Sequence, residues 1–329
     1  MASMLSASPG IVFFGKIPSR GDFVRSASGN HLIGLIDNWV SQGMELLASD
    51  PMWKRWYDSA SPIDFAFVGT HNRHVLTGHI AASSDQSSRR FPFVTTSAIE
   101  ISQPLQFLAR CPLLLSRHWH RLGDLTRNAL TSTESEQALE AISQTPVDIE
   151  LSAAAYDSNF RDFLELRTLS DISRLLAKAG HDVELKQSLL ALGLLLEPLL
   201  ASDGAELSKG LALPLPRDSM YAILLASFWL ELTSGFLVDG EFELSIFMTR
   251  RDTRPWLFLD FNGASGRALQ ALFDVAVGRE HHIDISRAPW TDEYVAAEPR
   301  LAKLASYLEQ DQLSLRQALS SFRDTFFGV

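Results

Sequence analysis

An apolar run near the start of the chain, ending in glycine and lysine, constrains the fold more than any other stretch. Residues 11–14 are Ile-Val-Phe-Phe, and Gly15, Lys16 and a turn containing Pro18 follow directly. Such a run is typical of a buried strand, and the glycine and proline predict a tight loop after it. So many charges beside two glycines indicate a loop held in a special shape. The charged residues of this loop are Lys16, Arg20, Asp22 and Arg25.

Composition places the chain among globular proteins and makes two classes of partner unfavourable. The chain has 329 residues, of which 46% are hydrophobic and 21% charged, so a large core can form. The formal net charge of -10 would repel phosphates, so we expect neither nucleic acid nor an anionic membrane as a partner. The single cysteine, Cys111, cannot form an internal disulfide and is expected to be a small buried core residue.

We expect no targeting signal that would direct the chain out of the cytoplasm. Residues 1–9 contain no lysine or arginine and no long apolar core, so we expect no secretory signal. The most apolar windows, 189–200 and 220–230, are too short to cross a bilayer. The sequence therefore predicts a cytoplasmic protein without membrane insertion.

The first 150 residues alternate between helical and strand patterns. Apolar residues at helical spacing predict a helix over 30–48, with Asn30 as its N-cap. Alternating patterns predict strands over 62–68, 75–81 and 91–101, which suggests a meander packed against the helix. Residues 104–130 read as helical, with a break at Pro112.

The rest of the chain is predicted to be mainly helical, with strands near its end. Residues 203–216 are rich in glycine and proline and are the best hinge candidate. A buried helix over 218–235 precedes strands over 242–248 and 255–261. We therefore divide the chain into an N-terminal α/β domain (1–150), a helical connector (151–210) and a C-terminal α/β region (211–329).

A literal phosphate-loop match at residues 10–16 fails on physical grounds. The pattern G-x-x-x-x-G-K needs Ser or Thr next to hold the metal, but Ile17 follows. The four spacer residues form a bulky apolar strand pattern, and Pro18 disturbs the helix turn that should hold phosphate. The match is accidental, and no nucleotide cofactor is expected.

The histidines and serines give no catalytic or metal site. His118 and His120 are two apart on a predicted helix and face away from each other. His281 and His282 are adjacent, but no spacing in the chain matches a known zinc or facial-triad pattern. A G-x-S-x-G nucleophile elbow is missing. We therefore expect no catalytic residue, no cofactor and no metal, and surface or hydrogen-bonded histidines.

A second charged loop, residues 83–90, precedes Phe91 and carries Asp85, Arg89 and Arg90. A pair between Asp85 and Arg89 would order the loop. Alternatively, the loop forms a recognition surface, since binding residues concentrate on loops held by rigid scaffolds. Both interpretations remain open from the composition.

Taken together, the two loops resemble the TagF family, also called ImpM, of type VI secretion-associated proteins. Residues 15–24, Gly-Lys-Ile-Pro-Ser-Arg-Gly-Asp-Phe-Val, resemble the opening motif of that family. Asp37 and Trp39 fit its Asp-x-Trp helix, and residues 82–92 resemble its P-S-x-D-x-x-G-R-x-F-P motif. Ala82 and Ser88 depart from the proline and glycine of that motif, so the chain resembles a divergent member.

The resemblance implies a fold and a role. It implies an α/β sandwich in which a sheet has helices on both faces, followed by a helix-rich α/β C-terminal half. It also implies a non-enzymatic regulator of type VI secretion, a post-translational repressor that binds a cytoplasmic forkhead-associated scaffold protein. Alternatives are a structural or assembly component of the secretion apparatus, or a nucleotide-binding enzyme built on the Lys16 loop.

The charged residues of the two loops are the candidate site. We expect them to converge at one end of the N-terminal sheet, where they either hold the loops together or contact a partner. An internal bridge between Asp22 and Arg89 is one form of the first possibility. The candidate residues are Lys16, Arg20, Asp22, Arg25, Asp85, Arg89 and Arg90.

Overall fold

One sheet runs through the protein and carries helices on both faces. The computed structural model describes residues 10–152, 154–201 and 207–328. Residues 1–9, where the sequence predicts no secretory signal, lie outside the described part of the chain. The strands are β1 (Val12–Gly15), β2 (Val24–Arg25), β3 (Ile63–Gly69), β4 (His74–Ala81), β5 (Phe93–Glu100), β6 (Gly210–Pro214), β7 (Glu243–Arg251), β8 (Arg254–Asp260) and β9 (His282–Asp284).

The order of the strands joins the beginning and the end of the chain. Across the sheet the order is β2-β1-β5-β4-β3-β7-β8-β6-β9. Neighbouring strands are antiparallel, except that β6 and β9 are parallel. In the centre β3 pairs with β7, and Phe65 lies opposite Phe247. Strands of the predicted N-terminal and C-terminal regions therefore share one sheet, while the domain boundaries at 150 and 210 stay predictions.

The helices form a layer on each face of the sheet, which confirms the predicted three-layer α/β architecture. α1 and α10 pack on one face, and α3, α7, α9 and α14 contribute to the core on the other. The helices are α1 (Asn30–Ala48), α2 (Trp53–Ser59), α3 (Pro104–Thr131), α4 (Ser135–Gln144), α5 (Ala154–Leu166), α6 (Leu169–Lys178), α7 (Leu185–Leu196), α8 (Pro198–Ala201), α9 (Ser219–Ser234), α10 (Gly266–Phe273), α11 (Val275–His281), α12 (Thr291–Ala297), α13 (Pro299–Leu308) and α14 (Leu315–Phe326). A short 3₁₀ turn, Gly235–Leu237, follows α9.

α1 fixes the middle of the sheet from one side. Its buried residues recur at helical spacing, and Trp39 lies with its ring 5.3 Å from Phe65 and 6.2 Å from Phe247. The helix thus covers the β3–β7 junction, where the two halves of the sheet meet. The expected N-cap at Asn30 is wrong: the residue before the helix is Gly29, with φ 78°, and no side chain caps the helix.

α3 continues through Pro112, so the break predicted there is wrong. A proline inside a helix loses one hydrogen bond and costs about 3 kcal/mol. Here Leu108, Cys111 and Leu115 are fully buried around it, and their packing keeps the helix on the sheet. Cys111 is the buried core residue that the sequence predicts, and burial raises the pKa of its thiol.

α9 is a core helix despite its membrane-like composition. Together with the turn that follows it, α9 covers Ser219–Leu237, which is long and apolar enough to cross a bilayer, so the prediction that this segment is too short is wrong. However, 67% of its most apolar window is buried inside the protein. Trp229 is fully buried, and its indole N–H donates to the carbonyl of Pro214 at 3.2 Å. The apolar character of α9 is therefore used in packing against α3 and the sheet.

The predicted hinge is partly wrong, because it contains a strand. Residues 203–206 lie outside the described part of the chain. Residues 210–214 form β6, which is buried throughout and pairs with β8 on one side and β9 on the other. Pro214 is tolerated because β9 pairs only with Gly210, Leu211 and Ala212, which leaves the proline beyond that ladder.

Candidate functional site

The two charged loops meet because their strands are neighbours. β1 ends at Gly15, β5 begins at Phe93, and these two residues are antiparallel partners. The loop that follows β1 and the loop that precedes β5 therefore lie at the same end of the sheet. The predicted convergence of the loops is what the strand order produces.

A buried ion pair lies where the loops touch. The ammonium group of Lys16 is 2.9 Å from the Asp85 carboxylate, and their side chains are 8% and 0% exposed. Arg89 donates through Nε to the same carboxylate oxygen at 2.7 Å. The other oxygen accepts backbone N–H groups from Ser87 and Arg89, each at 2.9 Å. We call Lys16, Asp85 and Arg89 the Asp85 cluster.

These donors keep the Asp85 carboxylate charged. Burial by itself opposes ionisation, but the hydrogen bonds from Lys16, Arg89 and the Ser87 backbone outweigh it, so the pKa of Asp85 lies well below its usual range. A buried carboxylate with donors on both oxygens has little capacity left for a substrate proton. The cluster therefore organises the loops and is unsuited to general acid–base chemistry.

Further hydrogen bonds join the loops, though not the bridge expected between Asp22 and Arg89. The Arg89 guanidinium donates to the carbonyl of Gly21 at 2.6 Å, and the N–H of Gln86 donates to the carbonyl of Arg20 at 2.8 Å. The Asp22 carboxylate instead accepts the neighbouring N–H of Phe23 at 2.8 Å. Arg89 is already held by Asp85, and Asp22 orders its own turn.

Phe23 covers the ion pair from the solvent side. Its ring centre is 4.9 Å from the Lys16 ammonium, a cation–π distance. The ring also stacks on Phe14 at 5.4 Å and meets the edge of Phe91 at 4.9 Å. One face is thus fixed by the protein, while 44% of the residue stays exposed. The sequence analysis did not place Phe23 among the site residues.

Gly15 allows the two loops to approach so closely. Its φ of 137° is a conformation that residues with a side chain rarely adopt. A Cβ there would lie 2.0 Å from the carbonyl oxygen of Pro92 and 2.8 Å from the Cα of Phe93. The glycine of the motif is therefore required by the β1–β5 contact.

The remaining predicted residues lie around the cluster. Arg20 donates to the hydroxyl of Ser135 at 3.2 Å, at the start of α4. Arg90 forms two hydrogen bonds of 2.7 Å with Asp58 in α2. Arg25 is exposed at the end of β2. We call Arg20, Asp22, Phe23 and Arg25 the outer face.

The expected hydrogen-bonded histidines are confirmed at two positions. His79 lies 2.7 Å from the Asp64 carboxylate across the β3–β4 pair. His118 is buried and lies 2.8 Å from the hydroxyl of Ser97, whereas His120 on the same helix is exposed. Burial, with the nearby charge of Arg121, lowers the pKa of His118 to about 4, so it is neutral at pH 7.

A second cluster, missed by the sequence analysis, lies in the C-terminal half. Asp260 at the end of β8 accepts one contact on each oxygen: His281 Nε2 at 2.7 Å and His282 Nε2 at 3.2 Å. Arg251 of β7 lies with Nη2 3.2 Å from His282 Nδ1. We call these four residues the Asp260 cluster. The adjacent histidines were the signal that the sequence offered, but no sequence pattern connected them with Asp260, which lies 22 residues before His282.

Burial and hydrogen bonding set the charges of this cluster. Burial opposes ionisation of Asp260, but the contacts with His281 and His282 outweigh it and lower its pKa to about 2. Burial lowers the pKa of His282 below its ordinary value. Arg251 is also buried, which lowers its pKa to about 10 and leaves it a cation at pH 7.

Comparison with known proteins gives a family match for the N-terminal part. The sequence model of the family described as TagF N-terminal domain, Type VI secretion system-associated, matches residues 12–145. Among solved structures, the chain is similar to PA0076 from Pseudomonas aeruginosa PAO1, with 23% identity and a TM-score of 0.35. The match covers 42% of this chain and 64% of that one, slightly less than two thirds of its length. No curated protein matches the chain.

Proposed function

We propose that this protein is a non-enzymatic regulator of type VI secretion, because residues 12–145 match the TagF N-terminal domain family, which is associated with that system. It acts in the cytoplasm as a post-translational repressor and binds a forkhead-associated scaffold protein. The observation that carries the proposal is the Asp85 cluster: the family motif is used to build a rigid surface. Its charged groups satisfy one another and are covered by Phe23.

The geometry of the Lys16 loop supports a binding role over nucleotide chemistry. Residues 12–14 of the four-residue spacer, together with Gly15, form strand β1, which pairs with β5 and β2. Their N–H groups therefore belong to a sheet and do not form a phosphate cradle. Lys16 is buried against Asp85. A phosphate would have to displace a buried counter-ion to reach it.

The outer face is the surface proposed to contact the scaffold. Phe23 is an exposed aromatic ring fixed from behind, and Arg20 and Arg25 flank it on exposed positions. Aromatic and arginine side chains are enriched among the residues that dominate interface energies. A rigid ring loses little conformational entropy on binding, which favours this face as an anchor.

Binding measurements with the purified scaffold test the proposal. Phe23→Ala is expected to weaken binding by about 30-fold, a hot-spot loss, and Arg25→Glu by about tenfold. Arg73→Glu is the matched control, because Arg73 is exposed in the β3–β4 turn, at the opposite end of β4 from the second charged loop. Circular dichroism and thermal unfolding establish that each variant is folded.

The result that would overturn the proposal is equal binding by all folded variants, or an equal loss in the Arg73 control. A secretion assay then separates repression from assembly. Deleting a repressor increases secretion, whereas deleting a structural component abolishes it. Saturable ATP binding that Lys16→Ala removes would instead support the enzyme alternative.

A further inference from the structure

We propose that Asp260, His281 and His282 bind one divalent transition-metal ion, with Zn²⁺ as the natural probe. Two imidazole nitrogens and one carboxylate are a donor set found in metal sites of proteins. The proposal concerns the C-terminal half of the chain and is independent of the role proposed for the N-terminal domain.

The positions of the ligand atoms suit coordination. One ligand atom from each residue can be chosen so that all three lie within 4.8 Å of one another. Metal–nitrogen and metal–oxygen bonds of about 2.0–2.1 Å require neighbouring ligand atoms about 3.0–3.4 Å apart. The Asp260 oxygens already lie 2.7 Å from His281 Nε2 and 3.2 Å from His282 Nε2. A metal ion would therefore replace the protons shared in these contacts with small shifts of the side chains.

The backbone around the cluster leaves room for these side chains. Gly210 in β6 lies beside them, and a Cβ there would come within 2.5 Å of an Asp260 oxygen and 2.7 Å of the His282 ring. The strand order β8-β6-β9 brings the ligands together across Gly210. Asp260 and His282 side chains are 7% and 0% exposed, while His281 is 16% exposed. His281 is thus the most exposed of the three ligands, and we expect the ion to enter from its side.

Arg251 makes the site distinctive, because it opposes the metal-bound state. An arginine only donates, so in its contact with His282 Nδ1 the histidine accepts and carries its proton on Nε2, toward Asp260. A metal on Nε2 moves that proton to Nδ1, where it faces the Arg251 donor. Arg251 must then turn away from Nδ1 and keep only its contacts with the carbonyls of Ala271 and Gly278, at 3.3 and 3.4 Å. We therefore expect Arg251 to weaken metal binding.

Metal titration of the full, tag-free chain tests the proposal. Isothermal calorimetry with Zn²⁺ is expected to give one ion per chain. Asp260→Asn and His281→Gln should each weaken binding by more than about 100-fold. His31→Gln is the matched control, because His31 is exposed on α1 outside the cluster, and it should bind like the native chain. Arg251→Gln should bind about tenfold more tightly, because glutamine offers an acceptor to the Nδ1 proton and removes a cation.

Co²⁺ absorption of the native chain tests the proposal even if a variant fails to fold. Co²⁺ bound to the native chain should show visible d–d bands that Zn²⁺ removes, and His281→Gln, altered at the exposed edge, should lack them. Absence of these bands in the folded native chain would overturn the proposal. So would weak Zn²⁺ binding that is the same in the native chain, His281→Gln and His31→Gln.

Discussion

Two buried carboxylates, Asp85 and Asp260, lie in opposite halves of the sheet and are satisfied by different chemistry. Asp85 is held by Lys16, Arg89 and backbone N–H groups. Asp260 is held by two imidazoles, His281 and His282. Lysine and arginine keep their charge across the physiological pH range, whereas an imidazole changes its proton or takes up a metal within it.

The difference explains what each cluster is suited to do. Permanent donors fix the Asp85 loops in one arrangement, which suits a surface that must be rigid before a partner arrives. In the Asp260 cluster, Arg251 can donate to His282 Nδ1 only while that nitrogen carries no proton. We therefore expect the N-terminal cluster to stay unchanged across physiological pH, and the C-terminal cluster to respond to pH and to the proposed metal ion.

The largest expected effect comes from Gly15, one of the two glycines that allow the clusters to pack closely. Gly15→Ala combines a strained φ, about 1–3 kcal/mol, with a clash against the Pro92 carbonyl, about 1–3 kcal/mol more. Gly210→Ala has only the clash, about 1–3 kcal/mol. Urea unfolding should therefore show a greater loss of unfolding free energy at Gly15. Gly34→Ala on α1 is the control, with open space at its Cβ and an expected gain of about 0.5–1 kcal/mol.

A loss of stability of about 3 kcal/mol, smaller than the full effect expected at Gly15, is expected for Lys16→Met. This is the lower end of the cost of breaking a buried ion pair, because Arg89 and two N–H groups still face the carboxylate. The matched change in the other half is Arg251→Met. It should cost less than Lys16→Met, since Asp260 keeps both of its imidazole partners. Unfolding free energies from urea denaturation measure both.

A loss below about 1 kcal/mol for Lys16→Met would contradict this view. The ion pair would then behave like an exposed one, and the rigidity ascribed to the loops would have to come from other contacts. The double variant Lys16→Met/Asp85→Asn sharpens the comparison. Its loss should be smaller than the sum of the two single losses, because the two residues contact each other directly.

Local patterns in the sequence were sufficient for much of the fold and for one of the two clusters. The helical spacing of α1 and the alternation of β3 depend on neighbouring residues, so periodicity finds them. The Asp85 cluster could be predicted because its charged residues lie in two short motifs next to glycines, and those motifs resemble a known family. The sequence left two partners open for Arg89: the structure confirms the pair with Asp85, and the alternative bridge to Asp22 is wrong.

The Asp260 cluster could not be predicted, because it depends on strand order. Asp260 and His282 are 22 residues apart, and they meet only because β6 lies between β8 and β9. β6 itself was hidden by its composition: glycine and proline at its ends indicated a hinge. A parallel pairing such as that of β6 and β9 joins residues about 70 positions apart and leaves no local pattern.

As the pH falls, the Asp260 cluster should lose its contribution to stability before the Asp85 cluster does. This is the smallest of the expected effects. The pKa of His282 is lowered in the folded chain, so the unfolded chain takes up that proton first, from about pH 6.5 downward. Stability from the Asp260 cluster is therefore present above that pH and is lost as the pH falls. Arg251, His281 and Asp260 all face His282, and the first two oppose a proton there. The pKa of Asp85 is also lowered, but its contribution starts to be lost only below about pH 4.

Hydrogen exchange resolves this difference by segment. Between pH 6.5 and 4.5, protection factors in β8 and β9 should fall by about tenfold per pH unit for each extra proton that the open state binds. Protection of the Arg89 amide, which donates to Asp85, should stay constant over the same range. A fall at both places together would mean that the sheet opens as one unit, and the contrast between a constant and a responsive cluster would be lost. Bound Zn²⁺ should prevent the fall of the protection factors in β8 and β9 and leave the Arg89 amide unaffected. This result would support the difference between the clusters, because the ion would occupy the nitrogen atoms that otherwise take up protons.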